Sequence, residues 1–387
     1  MLSLKLLEDF QFNDQWPLER FTESIGTMPS DKSNLPWDKL QVESSTIFYY
    51  LEHDYTRDFT KPAVFPIFLY NSHQHGQLQA LTEYIIKNRE LFASKKLIPV
   101  ILDVLEGHPW LPQWVEAVAD AVKDICTVYF VDGNKFNESL PTVKYYYYYF
   151  WLYYAAFNLR DMPSYYKFDN TVVHLDEDHK IYMCLNRLAR EHRLVLVTTL
   201  IERELRHDGY ITWSGKPGTP DWQQIYPKVA NESFDVLDVV DIATDNPTDK
   251  FPTDFVKKSF IFVNTETHFD NQSMFLSEKA FKPMVLGMPF ILLGNPGVLG
   301  FLKSLGFKTF DKWIDESYDN DIPLQARCDI IANEIQRFSL MTPQERIQLR
   351  HEMHETTQHN IQTLTDLARS NKFYSIFQNI EDVALNT

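Results

Sequence analysis

Along this chain of 387 residues the spacing of apolar positions changes from block to block. Residues 1–44 are irregular and punctuated by Pro17, Pro29 and Pro36. Compact apolar runs of strand length follow at Ser45–Leu51, Val64–Tyr70, Leu97–Leu105 and Thr127–Val131. Between them, Gln77–Ser94 and Trp110–Asp124 carry the three- and four-residue spacing of amphipathic helices. Strands alternating with helices predict a parallel sheet with helices on its faces. A polar, turn-rich stretch at 160–178 interrupts the series. A second set then begins: strands at Lys180–Leu185, Ser259–Asn264 and Pro289–Leu293, helices at Glu191–Leu205 and Glu278–Leu286, and a short helix at Gly297–Leu305. From Pro323 the chain reads as helical, with a capping signal at Thr342-Pro343-Gln344-Glu345. The fold expected is α/β, with two open domains facing a cleft and a helical C-terminal tail. The expected boundaries are 1–175, 176–340 and 341–387, the last segment packing back on the N-terminal domain.

Composition narrows this picture without redirecting it. Apolar residues make up 44% and charged residues 23%, an ordinary globular balance. The aromatic share of 14% supplies ring faces that stack on sugars and bases as well as core volume. The net charge is 37 − 53 = −16, and no basic stripe interrupts it, so nucleic acid is a disfavoured partner. Cys126, Cys184 and Cys328 are widely separated, odd in number and without zinc spacing, which fits a reducing compartment. The short apolar start is broken by Glu8 and Asp9, and the run from Tyr145 to Phe157 is too short for a membrane span. The expected location is the cytoplasm. The Tyr145–Tyr149 run reads as a buried strand or helix, with a stacking role the lesser reading.

Three constellations fall at the ends of second-set strands, where open α/β sheets bind ligands. In Phe275–Gly294, Ser277 is placed to cap a helix whose first turn holds Glu278 and Lys279. Free amides and the helix dipole attract anions there, and a lysine at that end calls for an anionic partner. Glu278 has the acceptor geometry for two ribose hydroxyls. The bland reading, a capped surface helix before a core strand, is equally weighted. In Lys180–Arg193, a strand runs out into Asn186, Arg187, Arg190, His192 and Arg193, a set suited to clamp a diphosphate. The alternative is a group of exposed helix-start charges. In Ser259–Asn271, a strand ends in Asn264, Thr265, Glu266 and Thr267, and Glu266 is either a reader of sugar hydroxyls or a plain polar strand end.

Phe262…Glu266, Ser277-Glu278-Lys279, Gly287-Met288-Pro289 and Gly294, together with Lys180…Asn186…Arg187…Arg193, resemble the donor domain of the α-1,3-fucosyltransferase family over roughly residues 178–310. More broadly the chain looks like glycosyltransferases of two Rossmann-like domains, the GT-B type. The resemblance implies an inverting, metal-independent transfer of sugar from a nucleotide-sugar co-substrate, without further cofactor, to a hydroxyl on a glycan or similar acceptor. It implies that 1–175 binds the acceptor and 176–340 the donor. Glu278 would hold the ribose, Lys279 with Arg187 or Arg193 the pyrophosphate, and Glu266 the sugar. The chain departs from the family pattern at Phe275-Leu276, at Ser277 where Thr is usual, and after Pro289. Transfer to modified DNA bases and a non-catalytic nucleotide- or glycan-binding module are the competing readings.

An inverting transfer needs a base for the acceptor proton. Asp103, Glu106 and His108 follow the strongest N-terminal strand, and Glu106, beside Gly107, is the first choice. His73, His75 and Asp132 compete, and Glu106 also reads as an ordinary loop carboxylate. No Asp-x-Asp stands at a strand end, so no metal is expected to hold the diphosphate. The acidic stretch from Trp313 to Asp319 lacks calcium-loop spacing and reads as a solvated loop.

Overall fold

The structure is a computed structural model and describes residues 63–69, 74–103, 110–136, 140–148, 151–152, 155, 169–217, 219–234, 253–269, 273–369, 379–380 and 383–384. The strand expected at Ser45–Leu51, and the candidates His73, Glu106 and His108, lie outside the described residues. Two compact units divide the rest. One holds the described residues within Met1–Phe150 and Ser370–Thr387, the other those within Trp151–Arg369.

The first unit carries a four-stranded parallel sheet in the order β1 (Ala63–Phe68), β2 (Leu97–Asp103), β3 (Val128–Asp132), β4 (Val143–Tyr147). All seven residues of β2 and all five of β3 are buried, as their unbroken apolar runs require of strands covered on both faces. Helices α1 (Gln74–Lys87) and α3 (Leu111–Val122) contribute Leu81, Ile85, Val115, Val118 and Val122 to the core beneath them. The single helix expected over Gln77–Ser94 is two, because the chain breaks at Asn88 before α2 (Arg89–Ala93). Asn88 turns its side-chain amide back onto the Tyr84 carbonyl at 3.0 Å, competing for an acceptor the helix needs. The tyrosine run enters β4, where Tyr145, Tyr146 and Tyr147 are half-buried. Ile380 and Ala384 are buried in this unit, and the Tyr146 hydroxyl donates to Asn379 Oδ1 at 3.0 Å.

The second unit holds β5 (Lys180–Ala189), α4 (Glu191–Glu202), β6 (Gly209–Pro217), β7 (Ser259–Thr265), α5 (Glu278–Val285), β8 (Phe290–Leu293) and α6 (Val298–Ser304). These four strands form one parallel sheet, in the order β8-β7-β5-β6. Strand β5 runs past the expected end at Leu185, and its register against β6 slips between Asn186 and Leu188. Irregularities of this kind re-aim side chains at strand ends near sites.

Helices α7 (Leu324–Ser339) and α8 (Pro343–Arg369) complete this unit. The capping box forms as its sequence predicts: the Thr342 amide donates to Glu345 Oε2 at 2.7 Å, and the Glu345 amide to Thr342 Oγ1 at 3.2 Å. Helix α8 docks through the buried Arg350, which donates to the Phe260 carbonyl of β7. No helix among the described residues is long and apolar enough to cross a membrane.

The turn from α5 to β8 passes through Gly287 at φ +63°, where a Cβ would stand 2.9 Å from the Asn170 carbonyl oxygen. A left-handed backbone and a backbone neighbour that cannot give way both exclude a side chain. Gly287→Ala is therefore expected to cost about 1–3 kcal/mol of stability. Chemical denaturation would show this as a lower midpoint with an unchanged slope.

Candidate functional site

Strand order in the second sheet decides where its crevice opens. From β5 the chain moves through α4 to β6 on one side, and from β7 it moves through α5 to β8 on the other. The direction reverses between β5 and β7, and at such a switch point the carboxyl ends of the two strands leave a crevice for a ligand. Asn186 and Arg187 lie in the last part of β5, Arg190, His192 and Arg193 follow it at the start of α4, and Thr265 ends β7 with Glu266 and Thr267 just beyond. Ser277, Glu278 and Lys279 open α5.

Glu266 stands at the centre. It is fully buried, and its carboxylate accepts from the Ser277 hydroxyl at 2.6 Å, the Ser277 amide at 3.1 Å and the Thr267 amide at 2.8 Å. Its backbone carbonyl accepts from His192 Nε2 at 2.8 Å and Arg193 at 2.9 Å. A carbonyl can only accept, so His192 carries its proton on Nε2. Burial and then the charge of Arg193 hold His192 well below the usual histidine range, so its ring is neutral. Burial raises the Glu266 carboxyl above the usual range, against the pull of Lys279 and the Ser277 hydrogen bond.

Ser277 caps α5 as its sequence predicts, accepting from the Lys279 amide at 3.3 Å. Lys279 Nζ donates to Glu278 Oε1 at 2.6 Å and Thr267 Oγ1 at 3.0 Å. The ammonium therefore has internal partners, which the expectation of an anionic ligand alone did not include. An ammonium has three donors, and these contacts take two. Burial pushes the Glu278 carboxyl up, but Lys279 and Lys282 outweigh it and hold it at about 2. Glu278 is thus an acceptor only, across the working pH range. Lys282 was not singled out in the sequence, although its four-residue spacing from Glu278 was the available signal.

The arginines separate by environment. Arg193, expected in the clamp, is 2% exposed and turned inward, donating to Leu188 O at 3.2 Å and to Glu266 O. Burial, then the neighbouring Arg190, lowers its pKa to about 10. A guanidinium two residues into a helix has carbonyls of the adjacent strand ends within reach, and these took it in. Arg187 and Arg190 are half-buried at the same end. Arg190 is the N-cap residue of α4 and supplies no side-chain cap to its first amides. Asn186 is buried, its amide oxygen accepting from Thr265 Oγ1 at 2.8 Å, which ties β5 to β7 at the crevice floor. Phe269 lies stacked on His192, with ring centroids 5.0 Å apart, and the buried Arg327 guanidinium sits 5.1 Å from the same ring.

In the first unit, Asp103 and Asp132 end neighbouring strands as direct partners in register, and both are buried. Asp132 Oδ1 accepts from the Asn134 amide at 2.7 Å, while Oδ2 has no hydrogen-bond partner among the described residues. Burial, then the Asp103 charge, raises Asp132 well above the usual aspartate range. His75 falls within α1. The acidic stretch ending at Asp319 is folded rather than a solvated loop. Tyr318 is buried, and the Asp319 carboxylate accepts from the first amides of α6, Val298 at 3.1 Å and Leu299 at 2.9 Å.

No family model matches the chain, and no curated protein matches it. Among solved structures the chain is similar to the catalytic domain of starch synthase IV from Arabidopsis thaliana bound to ADP and acarbose. The identity is 10% and the TM-score 0.38, over 82% of this chain and 79% of that one.

Proposed function

We propose that this chain is a glycosyltransferase of the GT-B type that takes its sugar from a nucleotide-sugar donor held by the second unit. The observation that carries the reading is the convergence of two helix starts, α4 and α5, on the switch point of a parallel sheet, with Arg187 and Arg190 at the end of β5, Lys279 in the first turn of α5 and Lys282 further along it. Helix starts and cations together are the chemistry of a diphosphate site. Glu278, ionised and acceptor-only, suits a pair of ribose hydroxyls. Arg187 and Arg190 take the clamp role in this reading, and the buried Arg193 supports the loop behind them.

Transfer is read as inverting and metal-independent. The acceptor oxygen bonds to the sugar's anomeric carbon as the bond to the diphosphate breaks. Cations balance the charge that grows on the leaving group. The acceptor's proton goes to a base of the first unit, Glu106 in the primary assignment, with His108 and Asp103 as its companions. The acceptor is a hydroxyl on a glycan or similar molecule. The −16 charge weighs against the alternative of transfer to DNA bases.

A thermal-unfolding series with ADP, GDP, UDP and CDP tests the donor site. One of the four is expected to stabilise the protein by about 2.7 kcal/mol at a hundred times its dissociation constant. If none shifts the transition, the donor reading fails. Binding without transfer to any hydroxyl acceptor would instead leave a nucleotide-binding module.

A further inference from the structure

We infer that Glu266 is a positioning residue, locking the two anion-binding helix starts to each other and to the sheet, and does not read the sugar of the donor. The inference rests on the donor reading above and changes the role of one residue within it. Six hydrogen bonds converge on this residue. Its carboxylate takes three donors, from Ser277 at the cap of α5 and from Thr267. Its carbonyl takes His192 and Arg193 from the first turn of α4. Its amide donates to Leu293 O of β8 at 2.9 Å. One residue therefore connects α4, α5 and β8 at the end of β7.

A hydroxyl-reading carboxylate must present a lone pair to the crevice. This one is 0% exposed and already has three donors on its two oxygens. The space around it is fitted to that arrangement. Gly294, at the end of β8, lies so close that an added Cβ would stand 3.2 Å from Glu266 Cγ. The groups that face the crevice are instead carried by what Glu266 holds. Lys279 and Glu278 follow Ser277 by one or two residues, and Arg190 precedes His192 by two. A small displacement of either helix start would move those charges off the diphosphate, and misplacement near 1 Å is costly to a preorganised site.

Substitution by glutamine separates the two roles. Glutamine keeps the shape, but its amide nitrogen must face a donor: the Thr267 amide in one orientation, the Ser277 amide in the other. Either way a buried N–H loses its acceptor. Glu266→Gln is expected to weaken the nucleoside diphosphate that the wild type binds, from the set ADP, GDP, UDP and CDP, by about tenfold. None of these probes carries the sugar that the donor transfers, so a residue reading that sugar would leave their affinity unchanged. Calorimetry well below the unfolding temperature excludes simple loss of folded protein. Ser277→Ala removes the shortest of the bonds between α5 and Glu266, the hydroxyl's, while keeping the amide's, and serves if Glu266→Gln does not fold. The double variant is expected to bind no more weakly than the worse single one. Wild-type affinity in folded Glu266→Gln, or in folded Ser277→Ala, overturns the role. A wild type that binds none of the four overturns the donor reading, and the role with it.

Discussion

Lys279→Ala is expected to weaken nucleoside diphosphate binding by about 1.5–3 kcal/mol, roughly 10–150-fold, while costing the fold about 1 kcal/mol. The lysine sits in the first turn of α5, where its charge opposes the helix dipole. Glu278 and Thr267 hold the ammonium in place at 2.6 and 3.0 Å, so its position is fixed before any ligand arrives. A preplaced charge loses little entropy on binding, which is why its removal should register in affinity more than in stability. Isothermal calorimetry measures the first quantity and denaturant unfolding the second. Unchanged affinity would remove Lys279 from the site.

The same variant has a pH signature with a definite sign. The folded-state carboxyl of Glu278 lies at about 2, below its ordinary value of 4.5. A depressed value contributes stability that is complete above 4.5 and is lost as pH falls toward 2. Removing Lys279 takes away the leading opposing charge and raises that folded value. The variant should therefore unfold at a higher pH than the wild type in an acid titration. Coincident acid transitions would mean that Lys282 alone holds Glu278 ionised.

Asp132→Asn is expected to stabilise the protein by about 1–3 kcal/mol near pH 8, with the gain vanishing near pH 3. Two buried carboxyls end neighbouring strands, and Asp132 Oδ2 has no hydrogen-bond donor among the described residues. Asparagine keeps the acceptor for the Asn134 amide and replaces the second oxygen with a nitrogen that can donate toward Asp103. Because the folded value of Asp132 is raised, the wild type has full stability below the ordinary aspartate value of 3.8 and loses it as pH climbs through the folded value. The two curves should coincide in acid and diverge upward. Equal stability at both ends would show that the pair carries no charge strain. A stabilised variant with lost turnover would mark the pair as retained for chemistry at a cost in stability.

Where sequence reasoning succeeded, the signal was local. The run expected at Leu97–Leu105 is apolar without alternation as far as Leu102, the pattern of a strand buried on both faces, and the strand forms over Leu97–Asp103. Ser277 before Glu278 and Lys279 reads as a cap because an N-cap needs only its own side chain and the next amides. The misses required information from distant residues. Strand β6 was overlooked because Gly209, Gly215 and Pro217 interrupt its apolar pattern, while pairing with β5 supplies the stability that propensity lacks. Whether Arg193 turns outward or inward depends on a carbonyl 73 residues away. The Asp103–Asp132 pairing depends on parallel register between strands separated by a helix. The donors that surround the Glu266 carboxylate come from Thr267 and from Ser277, eleven residues on, and the strand's own pattern does not contain the second of these.

The last helix of the second unit is followed by residues that belong to the first, with Ile380 and Ala384 buried there. During synthesis these residues leave the ribosome after the whole of the second unit. The sheet of the first unit therefore emerges before the second unit but must wait, lacking part of its covering, until translation of everything between has finished. The second unit comes from one uninterrupted stretch and can complete its core earlier. Assembly order thus runs against chain order, and the proposed donor site is expected to be built before the first unit closes.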